Sequence, residues 1–280
     1  MIVPAQRCSS SSDCRIQEAL GLVNGNFSLS PAAQPLIVAH RGASRVAPAN
    51  TLSAFLKAAE LGADGVELDV HLSADGVPVV IHDDTVDATT DGSGWVADMS
   101  VAQLKQLDAG SWFDRAFAGE RIPTLEEVFQ AVGDRLLVNV ELKSSPSGRR
   151  GLERAVVALV ERYGLAERVW LSSFSLAALR RARRLAPHMR LGLLYGPGMP
   201  RALQRLWLRL VGRYAAYHPE HGLVDAPLVA WARRRGSQVH AWTVNDPSEM
   251  RRLVGLGVDG IITDLPDVLR GILGERPRPS

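Results

Sequence analysis

The sequence predicts an α/β fold, a (β/α)8 TIM barrel with a small β-hairpin inserted after the second strand. Three observations carry that expectation. From Leu36 onward, short apolar runs alternate with helical patterns, as parallel strands joined by crossover helices require. Polar clusters close several of those runs: His40-Arg41-Gly42, Glu67-Leu68-Asp69, His82-Asp83 and Glu141-Leu142-Lys143. Finally, the turn Ala74-Asp75-Gly76 is too short to hold a crossover helix, so the runs on either side of it pair as an antiparallel hairpin.

Taken in order, the first strand ends near His40 and is followed by a helix over Thr51–Leu61. The second ends near His71, and the return run Val77–His82 brings His82 back beside Glu67 and Asp69. A helix over Thr124–Ala131 leads into the third strand, which ends near Lys143. The remaining barrel strands end near Phe174, Tyr195, His218, Val244 and Asp264. Helices over Gly151–Tyr163, Leu176–Leu185, Arg201–Tyr214, Pro227–Arg235 and Pro247–Leu256 connect them. Residues 36–273 are expected to form one barrel domain. Residues 274–280 form a C-terminal tail, and residues 1–35 a poorly ordered N-terminal one, or an extension upstream of the true start.

Bulk composition narrows the function. A chain of 280 residues with 46% hydrophobic content can bury a full core. A net charge of +2, without a long block of like charge, speaks against nucleic-acid binding. No stretch approaches the length of a membrane span, and residues 1–35 lack the basic start and apolar core of a secretory signal. Both cysteines, Cys8 and Cys14, lie in that tail. The folded body therefore has no disulfide and no thiolate metal site, which fits a reducing, cytoplasmic setting.

Strand parity gives the polar clusters a chemistry. Glu67 and Asp69 point to one face and Leu68 to the other; Asn139, Glu141 and Lys143 likewise share a face. A single Glu-x-Asp would read as a surface ion pair. Two such strands, flanked by His-Arg-Gly and His-Asp, read as one site at the C-terminal mouth of a barrel, where barrel enzymes carry their chemistry. Three carboxylates in one small volume repel unless a cation compensates them. All-oxygen ligands suit a hard divalent ion, Mg²⁺ or Ca²⁺. Glu67, Asp69 and Glu141 are the expected metal ligands. His40 and His82 are the expected general acid and base, because histidine titrates near neutrality. Arg41 and Lys143 are expected on a phosphate, each with ion pairing to the carboxylates as its competing role. Trp242 is expected either to wall the pocket or to pack in the barrel. The whole set suits hydrolysis of a phosphodiester.

The ordered segments AHRGAS (39–44), PANT (48–51), DGVELDVHLSADGVPVVIHDDTVDATTDGSG (64–94), LDAGSWF (107–113), RIPTLEEV (121–128), VNVELK (138–143), SSFS (172–175), HAWTVND (240–246) and GVDGIITDLPD (257–267) resemble the glycerophosphodiester phosphodiesterase family. That family is distantly similar, in barrel and site, to phosphatidylinositol-specific phospholipases C. The resemblance implies metal-dependent cleavage of a small-molecule glycerophosphodiester to glycerol 3-phosphate and an alcohol. It leaves two routes open: attack by the substrate's own hydroxyl through a cyclic phosphate, or direct attack by water. Two positions depart from the family pattern, Ala49 in place of the usual Glu and Ala88 in place of the usual Arg. A lipid-directed phosphodiesterase or lyase of the same superfamily is the nearest alternative, and a non-catalytic phosphate-binding barrel the next.

Other features are assigned structural roles. His71 is expected at the rim beyond its strand, His240 buried and hydrogen-bonded, and His218 a weak candidate for substrate contact. Gly255 to Gly260 spells GxGxxG but precedes a strand instead of following one, the wrong order for a dinucleotide loop. Arg201, Arg205, Arg209 and Arg213 recur at i, i+4 beside Leu203, Leu206, Trp207 and Leu210. Packing of this amphipathic helix against the barrel is favoured over peripheral contact with a membrane.

Overall fold

Alternation along each strand sorts the side chains into two sets, one facing the barrel interior and one facing the surrounding helices. The computed structural model describes residues 34–143, 150–198 and 200–274. Its strands are β1 (Leu36–His40), β2 (Gly65–Leu72), β3 (Pro78–Val80), β4 (Leu137–Leu142), β5 (Val169–Ser173), β6 (Arg190–Tyr195), β7 (Ala216–Pro219), β8 (Gln238–Ala241) and β9 (Gly260–Thr263). All except β3 run parallel, and β9 pairs with β1 to close the ring. This is the expected TIM barrel. β3 returns antiparallel along β2 in the register Val70↔Val80 and Leu72↔Pro78, which is the expected hairpin. The seventh barrel strand, β8, stops at Ala241 and not near Val244. The chain beyond it stays hydrogen-bonded, Val244 N donating to Ile262 O at 2.9 Å, so its apolar pattern outlasts the regular ladder.

The helices are α1 (Leu52–Glu60), α2 (Val101–Leu104), α3 (Leu125–Val132), α4 (Leu152–Arg162), α5 (Leu176–Leu185), α6 (Arg201–Leu210), α7 (Ala226–Arg234), α8 (Pro247–Leu256) and α9 (Pro266–Gly274). Side chains of Thr51, Thr124, Ser175, Asp225 and Asp246 accept first-turn N–H groups that would otherwise lack a partner. α6 ends four residues before the expected Tyr214, because Gly212 at φ +98 turns the chain away. α9 is an addition to the expected set. Its two glycines, Gly271 and Gly274, weaken its intrinsic helix signal, and packing of Leu269, Ile272 and Leu273 supplies what propensity lacks. Gly257 caps α8 at φ +75 and Gly260 opens β9, so the GxGxxG match is a helix stop followed by a strand start.

The main core lies between the sheet and the helices, with Ile37, Ala39, Val66, Leu68, Val138 and Val140 from the outward strand faces. Inside the barrel, Leu36, Val38, Leu137, Trp170 and Ile262 fill the lower end. Going up the interior, β1 reads Leu36, Val38, His40 and β4 reads Leu137, Asn139, Glu141. The bottom is thus apolar and the mouth polar. The insertion is larger than a hairpin alone: the chain between β3 and α3 closes its own small core around Ile81, Val86, Val96, Leu104, Ala109 and Ile122.

α6 packs against the barrel as expected, through Trp207 and Leu208, but three of its leucines take no part. Gln204 and Leu208 supply the buried edge of α6, while Leu203, Leu206 and Leu210 face outward. Among the described residues no helix is long and apolar enough to cross a membrane. The N-terminal tail, apart from Gln34 and Pro35, and the C-terminal tail, apart from Gly274, lie outside the described residues.

Candidate active site

Register sets the heights of the polar groups. β1 pairs with β2 at His40↔Glu67, and β2 pairs with β4 at Glu67↔Asn139 and Asp69↔Glu141. Inward parity then brings Glu67, Asp69 and Glu141 together, buried, with oxygen atoms within 4.8 Å of one another. Lys143 Nζ stands 3.1 Å from Glu141 Oε1 and 3.3 Å from Asp69 Oδ1, and Arg41 Nε stands 3.3 Å from Asp69 Oδ2. Asn50 Nδ2 donates to Asp69 Oδ2 at 2.9 Å.

Three buried carboxylates face two cations, and the shortfall shows in their titration. Burial, with Asp69 and Glu141 close by, pushes Glu67 well above the usual carboxylate range. Burial and Asp69 push Glu141 up to about 7. Burial also acts upward on Asp69, but Lys143 and Arg41 outweigh it and hold that group ionised. Burial would lower Lys143, yet Asp69 and Glu141 raise it. A pocket in which two of three carboxylates are driven toward protonation lacks positive charge, and a hard divalent cation on oxygen ligands fits that deficit.

The loop after β1 is tightly folded. Arg41 and Asn50 adopt φ of +56 and +61, and Arg41 N donates to Glu67 Oε2 at 3.2 Å. Positive φ at non-glycine residues persists only where surroundings enforce it, often at functional sites. Gly42, at φ +83, lets the loop touch α1; a Cβ there would lie 2.6 Å from the backbone carbon of Ala54.

Both candidate proton-transfer rings are backed by carboxylates. His40 Nδ1 donates to Asp264 Oδ1 at 2.7 Å, while its Nε2 faces Glu67 Oε2 at 4.0 Å. Asp264 also accepts from Ser44 Oγ at 2.9 Å and Asn245 Nδ2 at 2.6 Å. Although burial acts against it, these bonds and His40 hold the Asp264 carboxyl down at about 2. His82 Nδ1 donates to Asp83 Oδ1 at 2.6 Å. Burial lowers the His82 ring's pKa, against the pull of Asp69 and with help from Arg41 and Lys143. A carboxylate only accepts, so Nδ1 is the donor in each pair and Nε2 is the ring atom left facing the cavity to exchange a proton.

A cavity of about 200 Å³ opens over this group, with His40, Arg41, Glu67, His82, Glu141 and Lys143 on its polar side. Phe174, Leu194 and Trp242 form the apolar wall. Asp69 lies just beneath, 1% exposed. The Trp242 ring lines the cavity, with Phe174 edge-on at 5.5 Å, and it also packs on the interior core. Its Nε1 donates to His218 O at 2.8 Å.

Three other histidines fall elsewhere. His71 is not at the rim but inside β2 and buried, because the hairpin prolongs that strand to Leu72; its Nε2 donates to His82 O at 3.0 Å. His218 is wholly buried below the mouth, stacked on His240 at 5.0 Å, so it does not contact a substrate in the cavity. His240 is buried and bonded to Gln238 Oε1 at 3.2 Å, as expected.

The model of the glycerophosphoryl diester phosphodiesterase family matches residues 40–268, which span every group just described. The chain belongs to the glycerophosphodiester phosphodiesterase family. It is similar to a glycerophosphodiester phosphodiesterase of Caldanaerobacter subterraneus subsp. tengcongensis, 46% identical over 237 residues that cover 84% of this chain and 96% of the relative. A glycerophosphodiester phosphodiesterase of Bacillus subtilis is 33% identical over 252 residues, covering 85% and 86% respectively. Among solved structures, an Oleispira antarctica phosphodiesterase in complex with the product sn-glycerol-3-phosphate superposes with a TM-score of 0.78 at 34% identity, covering 86% of this chain and 98% of its own.

Within the glycerophosphodiester phosphodiesterase pattern, Ala49 lines a small second lobe beside Arg41 and His82, and Ala88 is exposed. Sequence reasoning passed over Asp264, Ser44, Asn245 and Asn50. For Asp264 a signal existed: it continues the inward parity of Ile262 at the end of the β9 run. Asn50 lies in the PANT segment, yet its bond to Asp69 depends on a left-handed backbone that local sequence does not specify.

Proposed function

We propose that residues 36–273 form a single domain that hydrolyses glycerophosphodiesters to glycerol 3-phosphate and an alcohol, with one Mg²⁺ or Ca²⁺ held by Glu67, Asp69 and Glu141. The observation that carries this reading is the convergence, on one mouth, of an undercompensated three-carboxylate cluster and two carboxylate-backed histidines. The product bound to the Oleispira antarctica relative supports the same reaction. When bound, the cation polarises the phosphate and stabilises developing negative charge.

The protein's own groups do the rest. Arg41 turns its Nε toward Asp69, which orients the guanidinium so that its remaining donors meet phosphate oxygens. Lys143 is held at the cluster's edge by Asp69 and Glu141 and lines the cavity, where it shares the phosphate charge. Of His40 and His82, one takes the proton of the attacking hydroxyl at Nε2 while the other donates a proton to the departing alcohol oxygen. Phe174 and Trp242 pack on the carbon skeleton of the substrate.

The test is glycerol 3-phosphate release from glycerophosphocholine and glycerophosphoethanolamine, with wild type, His40→Ala and His82→Ala in parallel. Loss of a proton-transfer group lowers kcat by about 10²–10⁴. Wild-type turnover that collapses in both variants supports the reading. Turnover that survives either substitution removes that histidine from it, and a wild type inactive on both substrates overturns the proposed reaction.

A further inference from the structure

The charge of this chain is unevenly placed. Between residues 176 and 236 there are twelve arginines and only Glu220 and Asp225 as acids, although the whole chain carries +2. The remainder is therefore net acidic. This basic segment supplies α5, α6 and α7, neighbouring outer helices that follow successive strands of the barrel. Arg180, Arg184, Arg209 and Arg234 stand exposed on it, and Arg209 and Arg234 form no ion pair among the described residues. Arg205 is held by Asp225, the N-cap of α7.

In the middle of this flank lie three leucines that the barrel does not bury. Leu203, Leu206 and Leu210 recur at i, i+3 and i+7 and are 57%, 53% and 76% exposed. They make one apolar stripe about two turns long, roughly 10 Å, on a helix anchored from its other side by Gln204 and Leu208. The stripe begins beside the mouth: Gln204 Nε2 donates to Gly196 O at 3.3 Å, and Gly196 adjoins the ring of Trp242.

We infer that this face of α6 docks the enzyme on an anionic lipid surface, the leucines entering the interface and the flanking arginines meeting lipid phosphates. The two features fit that occupant together. Basic residues around an outward apolar stripe are the signature of a helix lying in a membrane interface, bound by buried apolar area plus attraction to anionic headgroups. A second copy of the chain fits poorly. A two-fold interface brings the same patch together from both subunits, and here it would set arginine against arginine. An acidic protein would answer the arginines and leave the leucine stripe without an apolar counterpart.

The experiment is co-sedimentation of the full chain with vesicles of phosphatidylcholine alone or phosphatidylcholine mixed with phosphatidylglycerol, at low and high salt. It does not depend on turnover, so it stands or falls apart from the proposed reaction. Wild type should sediment with the anionic vesicles, remain free of the neutral ones, and be released by salt. Leu206→Ser/Leu210→Ser and Arg209→Glu/Arg234→Glu should each weaken vesicle partitioning at least about tenfold, while thermal melting and hydrolysis of dissolved substrate stay at the wild-type level. Failure of wild type to bind anionic vesicles at low salt overturns the inference. So does wild-type partitioning by either variant. A dimer in solution that the leucine substitutions convert to monomer, without vesicle binding, would assign the face to a second copy instead.

Discussion

Asp264 shows how a single residue can govern the chemistry of another. Its carboxylate accepts from His40 Nδ1 and is itself fixed by Ser44 and Asn245, so it sets both the tautomer and the orientation of the ring. Asp264→Ala is expected to lower kcat by about 10²-fold with little change in KM. An unchanged kcat would reduce Asp264 to a structural role. The carboxylates Glu67, Asp69 and Glu141 were legible in the sequence because parity and repetition exposed them. Asp264 was not, because a lone acid at the end of an apolar run carries no local signature and its partner sits at the opposite end of the chain.

At the scale of elements, the site depends on the two excursions that bring side chains over the mouth: the loop between β1 and α1, and the β2–β3 hairpin. Each contains a glycine at positive φ, but their surroundings differ. A Cβ on Gly42 would collide with the backbone of Ala54, whereas Gly76, at φ +82, has open space around it. Gly42→Ala should therefore cost about 3 kcal/mol in denaturant unfolding and displace Arg41, with loss of activity. Gly76→Ala should cost about 1 kcal/mol and leave turnover intact. Equal effects would contradict this account of the loop. Strand and hairpin positions followed from apolar pattern and turn length. What escaped was the early stop of α6 before Gly212, together with two features set by packing: the weakly helical α9 and the rotation that turns the α6 leucines outward.

For the whole molecule, the barrel interior couples stability to pH. Burial pushes His240 down to about 3, and burial together with His240 pushes His218 well below its usual value. In the unfolded chain both titrate near 6.5, so below that pH the unfolded state binds protons that the folded state refuses. Stability is whole above about pH 6.5 and falls as pH drops below it, by up to about 1.4 kcal/mol per pH unit for each ring. His240→Asn should flatten the fall in melting temperature between pH 7 and pH 5; an unaltered slope would show that other groups carry it. The cation site proposed at Glu67, Asp69 and Glu141 is a property of the whole molecule, since β2 and β4 bring together carboxylates more than seventy residues apart. The measurement that tests it most directly is calorimetric titration of chelator-stripped protein with Mg²⁺ or Ca²⁺, with glycerol 3-phosphate release followed in parallel, for wild type and Glu141→Gln. The account predicts one cation bound, activity restored in proportion, and binding at least about tenfold weaker in the variant. Full turnover by the stripped protein, or a variant indistinguishable from wild type, would contradict it.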